Sequence, residues 1–385
     1  MEIYAQDDVV RRYAAHLSAD PERIRRASLQ ESARIVQLPP QGGVLADVLD
    51  LSTGNTTGTF KSWLVCLAVS RYLGQEQPLV LAQSSGNTAN ALAAYAAHVG
   101  LRAVILHPPA SRRRIVPRLA DSGTVQFVEV DAPEHRIKAV LAACAQTLGV
   151  PVAPAPTDQD EANKLRAHVL RDAGHELGRQ WDWHVQALSS GYGPLGFYAG
   201  LRELQRTQPV QVPRFLGVQQ QAVAPFVRAL GEQSGEPGEV PVLEPTLFRQ
   251  TLTEDLVRRM RNLCAYSRGT VRALTNSRYL QLEPRAIALL RDAGVTVALD
   301  PDGTPRERAG LYSLAGTLDA IEQGLIRPGE RALVVYTGGA APTPAGTYQP
   351  HWRAQQDEAC EVVARAAAKL SSPLSSPLSL SGNHG

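Results

Sequence analysis

The sequence has no long apolar run and almost no net charge, and each absence excludes a class of protein. No apolar stretch is long enough to cross a bilayer, and residues 1–27 are charged and interrupted by Pro21, unlike a secretory signal peptide. Lys and Arg total 39 against 37 Asp and Glu, a net charge of +2, which is too balanced to predict a nucleic-acid partner. We therefore expect a cytoplasmic protein with neither a membrane nor a nucleic-acid partner.

Cysteine and histidine are sparse and are not spaced as metal ligands. The four cysteines are far apart, in helical-looking contexts, and predict neither a disulfide nor a zinc site. Among the nine histidines, His168 and His175 are seven residues apart on one predicted helix, a pattern typical of surface or packing histidines. No metal is expected. The cysteines are Cys66, Cys144, Cys264 and Cys360.

Strand and helix patterns alternate along the 385 residues, which predicts parallel sheets covered by helices on both faces. A chain of this length exceeds a typical single domain, so two lobes are expected. The predicted strands are residues 79–82, 103–107, 125–130, 184–188, 215–219, 271–274 and 333–336.

The heptapeptide 55–61, Asn-Thr-Thr-Gly-Thr-Phe-Lys, ends in the most informative side chain of the sequence. The apolar spacing of residues 63–73 predicts a largely buried helix with Lys61 in its first turn. Burial lowers the pKa of a lysine, and a partly neutral lysine can attack an aldehyde and hold it as a Schiff base. A lone lysine at a helix start is more often a surface residue, so the interpretation depends on its neighbours.

A second polar loop follows the predicted strand 79–82 and precedes an alanine-rich helix. Free N–H groups at such a helix start, together with serine and threonine hydroxyls, favour a carboxylate. Asn87 can donate to a phenolate oxygen of a cofactor ring. The alternative is that Ser85 or Asn87 only caps the helix. The loop consists of Ser84, Ser85, Gly86, Asn87 and Thr88.

Two further turns follow predicted strands. Residues 189–193, Ser-Ser-Gly-Tyr-Gly, precede a helix that begins near Pro194, and such a helix start favours a phosphate. Thr337 follows the last strand, at the carboxyl end where ligands of open α/β sheets gather. Each turn alone is weak evidence, since most glycine-rich turns are only tight connections. The four features in this order predict a covalent cofactor site.

These motifs resemble those of fold-type II pyridoxal-phosphate (PLP) enzymes, particularly threonine synthase and its relatives. The similarity runs from about residue 51 to about residue 341. Residues 57–61, T-G-T-F-K, resemble the family's P-T-G-S-F-K, and residues 84–89 match S-S-G-N-T-A. The resemblance implies an α/β, two-lobed open parallel-sheet fold like that of the tryptophan synthase beta-like enzymes, with pyridoxal 5′-phosphate as cofactor.

The resemblance also implies roles for matching residues. Lys61 is the Schiff-base lysine and the base for the α-proton, Asn87 is the partner of the cofactor's 3′ oxygen, and Thr337 faces the pyridine nitrogen. The implied phosphate cup is Ser189, Ser190, Gly191, Tyr192 and Gly193, and the implied substrate loop is Ser84, Ser85, Gly86 and Thr88.

The chain departs from the family pattern near both the lysine and the phosphate. Ser62 and Trp63 stand where the family commonly has the Asp and Arg of F-K-D-R. Tyr192 stands where small residues are usual, and Gly193 where Thr or Asn is common. One side-chain contact to the phosphate is therefore expected to be missing, which leaves backbone donors.

The implied activity is that of a PLP-dependent lyase or synthase, threonine synthase-like, which acts on an amino acid by β- or γ-elimination or replacement. A homodimer with a small-molecule amino-acid substrate is expected. Serine/threonine dehydratase or cysteate or cysteine synthase-like activity is the alternative. A partner-dependent or regulatory PLP-binding subunit, or an α/β binding protein without PLP, belongs to a different class.

The expected organisation has five parts and one long loop. The Gly-, Pro- and Glu-rich loop at residues 231–245 is expected on the surface. The parts are a helical or irregular segment (1–50), a large PLP-binding lobe (51–85 and 155–345), a small α/β lobe (86–154), a C-terminal helix (346–369) and a disordered low-complexity tail (370–385).

Overall fold

The computed structural model describes residues 2–76, 78–84, 86–231, 240–339 and 347–371. Within these residues the strands are β1 (Glu2–Gln6), β2 (Ala33–Gln37), β3 (Leu45–Asp50), β4 (Leu79–Gln83), β5 (Arg102–His107), β6 (Val125–Asp131), β7 (Trp183–Ala187), β8 (Arg214–Gln220), β9 (Thr270–Leu274), β10 (Arg331–Tyr336) and β11 (Trp352–Gln355).

The α-helices of the same residues are α1 (Val9–Arg12), α2 (Pro21–Ala27), α3 (Lys61–Ser70), α4 (Asn87–Val99), α5 (Pro117–Ala120), α6 (Glu134–Leu148), α7 (Pro156–Leu177), α8 (Tyr192–Leu204), α9 (Pro225–Leu230), α10 (Glu254–Ser267), α11 (Asn276–Asp292), α12 (Ala309–Glu322) and α13 (Ala359–Ser371). None of these helices is long and apolar enough to cross a membrane.

The chain divides into two compact units. The first comprises Met1–Arg71 and Pro154–Pro344, and the second comprises Tyr72–Ala153 and Ala345–Gly385. Each unit has its own sheet, and each sheet is mostly or entirely parallel. The α/β class with parallel sheets is thus as predicted.

The first unit contains a seven-stranded sheet with the order β1-β2-β3-β10-β7-β8-β9. Strands β3, β10, β7, β8 and β9 are parallel, and β1 and β2 add an antiparallel edge. Helix α12 approaches the sheet closely at Gly316, where a Cβ atom would lie 2.8 Å from Val218 Cγ1. Strands buried on both faces read as continuous apolar runs, and the run Ala-Leu-Val-Val-Tyr made β10 predictable in this way.

The segment 1–50, expected to be helical or irregular, also contributes three strands, β1, β2 and β3, to this sheet. The sequence did not predict β3 because two carboxylates interrupt its apolar run. Asp47 accepts hydrogen bonds from Trp181 Nε1 at 2.9 Å and from Arg331 Nη1 at 2.8 Å. Asp50 pairs with Arg34 at 2.9 Å. Both carboxylates are buried, and each is paired with an arginine from another strand of the sheet.

The second unit contains a four-stranded parallel sheet with the order β11-β6-β5-β4. Residues 79–85 were expected in the large lobe, whereas β4 pairs with β5 here. Residues 346–369 were expected to be only a helix, whereas β11 precedes α13 and pairs with β6. Parallel pairing joins segments far apart in sequence, so local patterns could not assign these strands to a sheet.

Cys144 of α6 and Cys360 of α13 form a disulfide across 216 residues of sequence, which corrects the prediction that no disulfide forms. Both helices pack on the same face of the four-stranded sheet, in a core that includes Val128 and Val363. Packing of the two helices therefore brings together cysteines that spacing alone could not pair. Of the expected loop and tail, residues 232–239 and 372–385 lie outside the described part of the chain.

Candidate active site

Three neighbouring strands of the first unit, β3, β10 and β7, run parallel and therefore end at the same edge of the sheet. Residues 51–60 follow β3, residues 337–339 follow β10 and residues 188–191 follow β7. Ligands of open α/β sheets gather at the carboxyl ends of the strands. The topology places three of the four predicted turns at this edge.

Lys61 begins α3, as the sequence predicted. The turn before it is held by backbone contacts to the end of β10. Phe60 N donates to the carbonyl oxygen of Thr337 at 3.3 Å, and Thr59 forms an antiparallel bridge with Gly338. These contacts hold the first residue of α3, Lys61, close to Thr337 at the end of β10.

The surroundings of the Lys61 amine favour its neutral form. All other residues of α3 are buried, and Nζ lies 4.5 Å from the centroid of the Phe60 ring. The pKa of Lys61 is lowered to about 8, chiefly by burial and secondly by the positive charge of Arg166, while Glu307 acts in the opposite direction. About a tenth of the amine is therefore unprotonated and nucleophilic at pH 7, far more than for an ordinary lysine.

Thr337 is the first residue after β10 and is 9% exposed. The carboxylate of Glu307 packs against the neighbouring Gly338, where a Cβ atom would lie 2.8 Å from the carboxylate carbon. The end of β10 thus carries the Thr337 hydroxyl, with a carboxylate close to the next residue.

The glycine-rich turn leads into α8, which begins at Tyr192. Gly191 is the N-cap residue with a φ of +81°, and a Cβ atom there would meet an aromatic ring at 2.9 Å, so this position requires glycine. Ser189 and Ser190, both half-buried, precede it. Because the first N–H groups of a helix have no intrahelical partners, this helix start favours an anion.

Two polar side chains occupy the space beside Gly193. A Cβ atom at this position would lie 3.2 Å from Arg166 Nη1 and would overlap the side-chain amide of Gln186. Arg166 Nη1 donates to Gln186 Oε1 at 3.0 Å, and its Cζ lies 4.4 Å from the centroid of the Phe60 ring. Arg166 therefore lies near both the glycine-rich turn and Lys61.

Sequence reasoning missed Arg166, although a signal was present. The segment 165–170, Leu-Arg-Ala-His-Val-Leu, is buried throughout on α7, so a charged residue stands within a buried run. A buried charge needs a partner or a function, which marks such a residue for attention. Only the packing of α7 against α8 and β7 reveals what Arg166 contacts.

Lys164 lies two residues before Arg166 on α7 and is the competing candidate for the cofactor lysine. Its surroundings favour the charged form. Its Nζ donates to Glu161 and to Glu203, each at 2.7 Å. Although burial acts to lower the pKa of Lys164, the hydrogen bonds to these two carboxylates raise it overall. A protonated, doubly paired amine is a poor nucleophile, which leaves Lys61 as the better candidate.

The fourth predicted turn, between β4 and α4, belongs to the second unit. The Ser84 hydroxyl accepts hydrogen bonds from the N–H groups of Gly86 at 3.2 Å and Ala89 at 2.9 Å. Ser84 therefore supplies a side-chain acceptor at this helix start, a capping role that was expected of Ser85 or Asn87. Ser85 lies outside the described residues.

Gly86 and Thr88 complete the described part of this turn. Gly86 has a φ of +152°, and a Cβ atom there would lie 2.9 Å from Arg114 Cβ, so the loop and Arg114 are closely packed. Asn87 and Thr88 are the first two residues of α4 and are half-buried. The first unit carries Lys61, Ser189, Ser190, Gly191, Tyr192, Gly193 and Thr337, and the second carries Ser84, Gly86, Asn87 and Thr88.

The edge of the first sheet fits a ligand that carries both an aldehyde and a phosphate. The Lys61 amine has a lowered pKa, the start of α8 favours an anion, and two nitrogens of the Arg166 guanidinium, Nε and Nη2, have no hydrogen-bond partner among the described residues. Within the same residues, no group of three or more His, Cys, Asp or Glu side chains could hold a metal ion.

Comparison with known proteins agrees with this chemistry. Residues 49–338 match the family described as pyridoxal-phosphate dependent enzyme. A threonine synthase of Mycobacterium tuberculosis is 25% identical over 298 residues, which cover 75% of each chain. A cysteate synthase of Methanosphaerula palustris is 26% identical over 327 residues, which cover 76% of this chain and 72% of the relative.

Among solved structures, diaminopropionate ammonia lyase from Escherichia coli has a TM-score of 0.63 at 16% identity and covers 88% of this chain and 94% of its own. This likeness establishes the fold, and the family match spans most of the chain. The chain therefore belongs to the pyridoxal-phosphate dependent enzymes of fold type II, and its cofactor is pyridoxal 5′-phosphate.

Proposed function

We propose that this protein uses PLP to eliminate or replace a group at the β or γ carbon of an amino acid, as a threonine synthase-like lyase or synthase. The observation that carries the proposal is the amine of Lys61, whose pKa is lowered to about 8 beside Phe60 and at the end of β10. Threonine synthases and a cysteate synthase among its relatives support this class of reaction.

In this proposal, each turn of the first unit has one task. Lys61 binds the cofactor covalently, and Thr337 places its hydroxyl at the pyridine nitrogen. The helix start at α8 binds the phosphate through its N–H groups. The phosphate cup consists of Ser189, Ser190, Gly191, Tyr192 and Gly193.

The turn of the second unit is assigned to the substrate. Thr88 and the N–H groups at the start of α4 bind the substrate carboxylate, and Asn87 donates to the ring oxygen of the cofactor. Ser84 holds the turn in shape through its two hydrogen bonds from backbone N–H groups. Ser85 and Gly86 complete the assigned substrate loop.

When bound, PLP withdraws electrons from the α carbon of an amino acid, so that the α-proton and then a leaving group at the β or γ carbon can depart. The proton is held at Lys61 Nζ, whose pKa of about 8 suits proton transfer near neutral pH. The Thr337 hydroxyl carries no full charge, so it leaves the ring nitrogen largely unprotonated. This arrangement favours elimination and replacement.

A second candidate is replacement at the β carbon, of the cysteate synthase type. It is favoured by the cysteate synthase relative, which matches 76% of this chain at 26% identity. The two candidates differ in the leaving group and in the nucleophile that adds after it leaves. A substrate screen separates them directly.

The proposal is tested by locating the cofactor and then by screening substrates. Borohydride reduction of the PLP-loaded protein, followed by peptide mass mapping, is expected to find the adduct on Lys61. Homoserine phosphate, O-acetylserine, O-phosphoserine, serine and threonine are then assayed for turnover. An adduct on another lysine would make the site assignment wrong. An adduct on Lys61 without turnover of any of these amino acids would favour a partner-dependent or regulatory subunit.

A further inference from the structure

Arg166 is a buried cation without an anion among the described residues. Its side chain is fully buried, its Nη1 donates to the neutral amide of Gln186, and its Nε and Nη2 have no partner within the described part of the chain. Burial lowers the pKa of Arg166 to about 9, so the guanidinium stays charged at neutral pH. An unpaired buried charge is strongly unfavourable, which indicates that a ligand supplies the missing anion.

The position of the guanidinium indicates which anion this is. Arg166 Nη1 lies 3.2 Å from the place of a Cβ atom at Gly193, in the first turn of α8. The N–H groups of that turn already favour a phosphate. A side chain at position 193 would enter the space that Arg166 and Gln186 occupy. Position 193 therefore accommodates only glycine while the Arg166 guanidinium occupies this space.

Two neighbours hold the guanidinium in place. Gln186, on β7, accepts the hydrogen bond from Nη1 at 3.0 Å, and the ring of Phe60 lies 4.4 Å from Cζ. Both neighbours are uncharged, so they orient the guanidinium without neutralising it. The charge stays available to a ligand at the start of α8.

We propose that Arg166 supplies the fixed positive charge that balances the 5′-phosphate of PLP at the start of α8, where Gly193 has no side chain to contact it. Gln186 is a positioning residue for this charge. The inference rests on the proposed placement of PLP at Lys61 and the turn 189–193. A phosphorylated amino-acid substrate carries the same chemical group, so the experiment must distinguish the two sources of phosphate.

The test compares PLP with pyridoxal, which has the same ring and aldehyde but no phosphate. Apo protein is titrated with each compound for the wild type, for Arg166→Met and for the control Arg171→Met, on the same helix beside Asp172. Arg166→Met is expected to lower the affinity for PLP about tenfold or more beyond any change in the affinity for pyridoxal, because a close opposite charge is lost, whereas pyridoxal reports only the altered Lys61 amine. The control is expected to match the wild type with both compounds.

Three results would overturn the inference. An equal loss of affinity for PLP and pyridoxal would give Arg166 a purely structural role. An unchanged affinity for PLP would show that the phosphate does not need this charge. Homoserine phosphate is titrated into the PLP-loaded protein as well, and a loss of affinity for this compound alone would assign the charge to the substrate.

Two measurements keep the test decisive. If Arg166→Met does not fold, Arg166→Gln removes the charge with a smaller change in polarity, and the same ratio of PLP to pyridoxal affinity is measured. Peptide mapping of the reduced adduct in the wild type tests the placement at Lys61 independently. An adduct on another lysine would contradict that placement, whereas an unchanged affinity ratio would contradict the role of Arg166.

Discussion

Lys61 and Arg166 share one aromatic neighbour, because Nζ of the lysine and Cζ of the arginine lie 4.5 and 4.4 Å from the centroid of the Phe60 ring. Two positive charges gathered around one ring disfavour protonation of the lysine, the group that can lose its charge more easily. A residue of α7, more than a hundred positions along the chain, thus lowers the pKa of the amine at the start of α3.

The first prediction concerns the pH dependence of cofactor uptake. Only the neutral amine attacks an aldehyde, and the pKa of Lys61 is lowered to about 8. Below this pH the neutral fraction rises about tenfold per pH unit. The rate at which apo protein takes up PLP, followed by absorbance, should therefore rise up to about pH 8 and then level off. Arg166→Met should move the plateau to higher pH, and an unmoved plateau would mean that Arg166 does not affect the amine.

The second prediction is that Lys61→Ala abolishes covalent attachment of PLP while the protein remains folded. The matched control is Lys164→Ala, since Lys164 is held protonated by Glu161 and Glu203. Mass spectrometry after borohydride reduction should find the adduct in the control and not in Lys61→Ala. An adduct that persists in Lys61→Ala would identify a different lysine.

The third prediction concerns Thr337. Thr337→Asp places a carboxylate at the proposed position of the ring nitrogen, and an opposite charge at short range shifts such a group strongly toward its protonated form. We expect a changed cofactor spectrum and changed partitioning of products, measured by absorbance and product analysis. Thr337→Ser, which keeps the hydroxyl, serves as the control. If the Asp variant matched the wild type in both measurements, Thr337 would not face the ring.

The fourth prediction separates two residues of the turn in the second unit. Ser84→Ala removes the acceptor of two backbone N–H groups and should cost about 1 kcal/mol of stability, as loss of a helix cap does. Thr88→Val keeps the side-chain volume and should instead weaken amino-acid binding about tenfold, through loss of a hydrogen bond to a charged group. Thermal melting and titration with an unreactive amino acid measure the two effects. Lowered stability with unchanged affinity in Thr88→Val would assign Thr88 to the scaffold.

The fifth prediction concerns the disulfide between Cys144 and Cys360. Under denaturing, non-reducing conditions, two of the four cysteines should react with a thiol reagent, and all four should react after reduction. Cys360→Ser should lower the free energy of unfolding by about 2–5 kcal/mol, because the bridge closes a long loop. Cys264→Ser is the control outside the bridge. Reaction of all four thiols without reduction would contradict the pairing.

Features that depend on local pattern were predictable from the sequence. The helix that begins at Lys61, the strands β5, β8 and β9, and the helix that begins near the glycine-rich turn are where the periodicity and the turn residues indicated. These features depend on interactions between residues close in the chain, such as apolar spacing and free N–H groups at a helix start.

Features that depend on long-range pairing were not predictable. Asp47 and Asp50 made β3 look unlike a buried strand in the sequence. Their partners, among them Arg331 and Arg34, come from other strands of the sheet, so the sequence did not show that these charges are paired. The pairing of β11 with β6 and the bridge between Cys144 and Cys360 each join distant segments. A single sequence carries no direct record of such contacts.

The sequence by itself determined the class of the protein, because a lysine at a helix start, two anion-favouring turns and a hydroxyl after a buried strand are local patterns with a chemical meaning. Only the tertiary structure placed Arg166, which lowers the pKa of Lys61 and lies beside the glycine-rich turn. Arg166 and Gly193 lie on different helices, and their relation exists only where α7 packs against α8. Burial then gives the contact its strength, since a charge removed from water acts strongly on every titratable group near it.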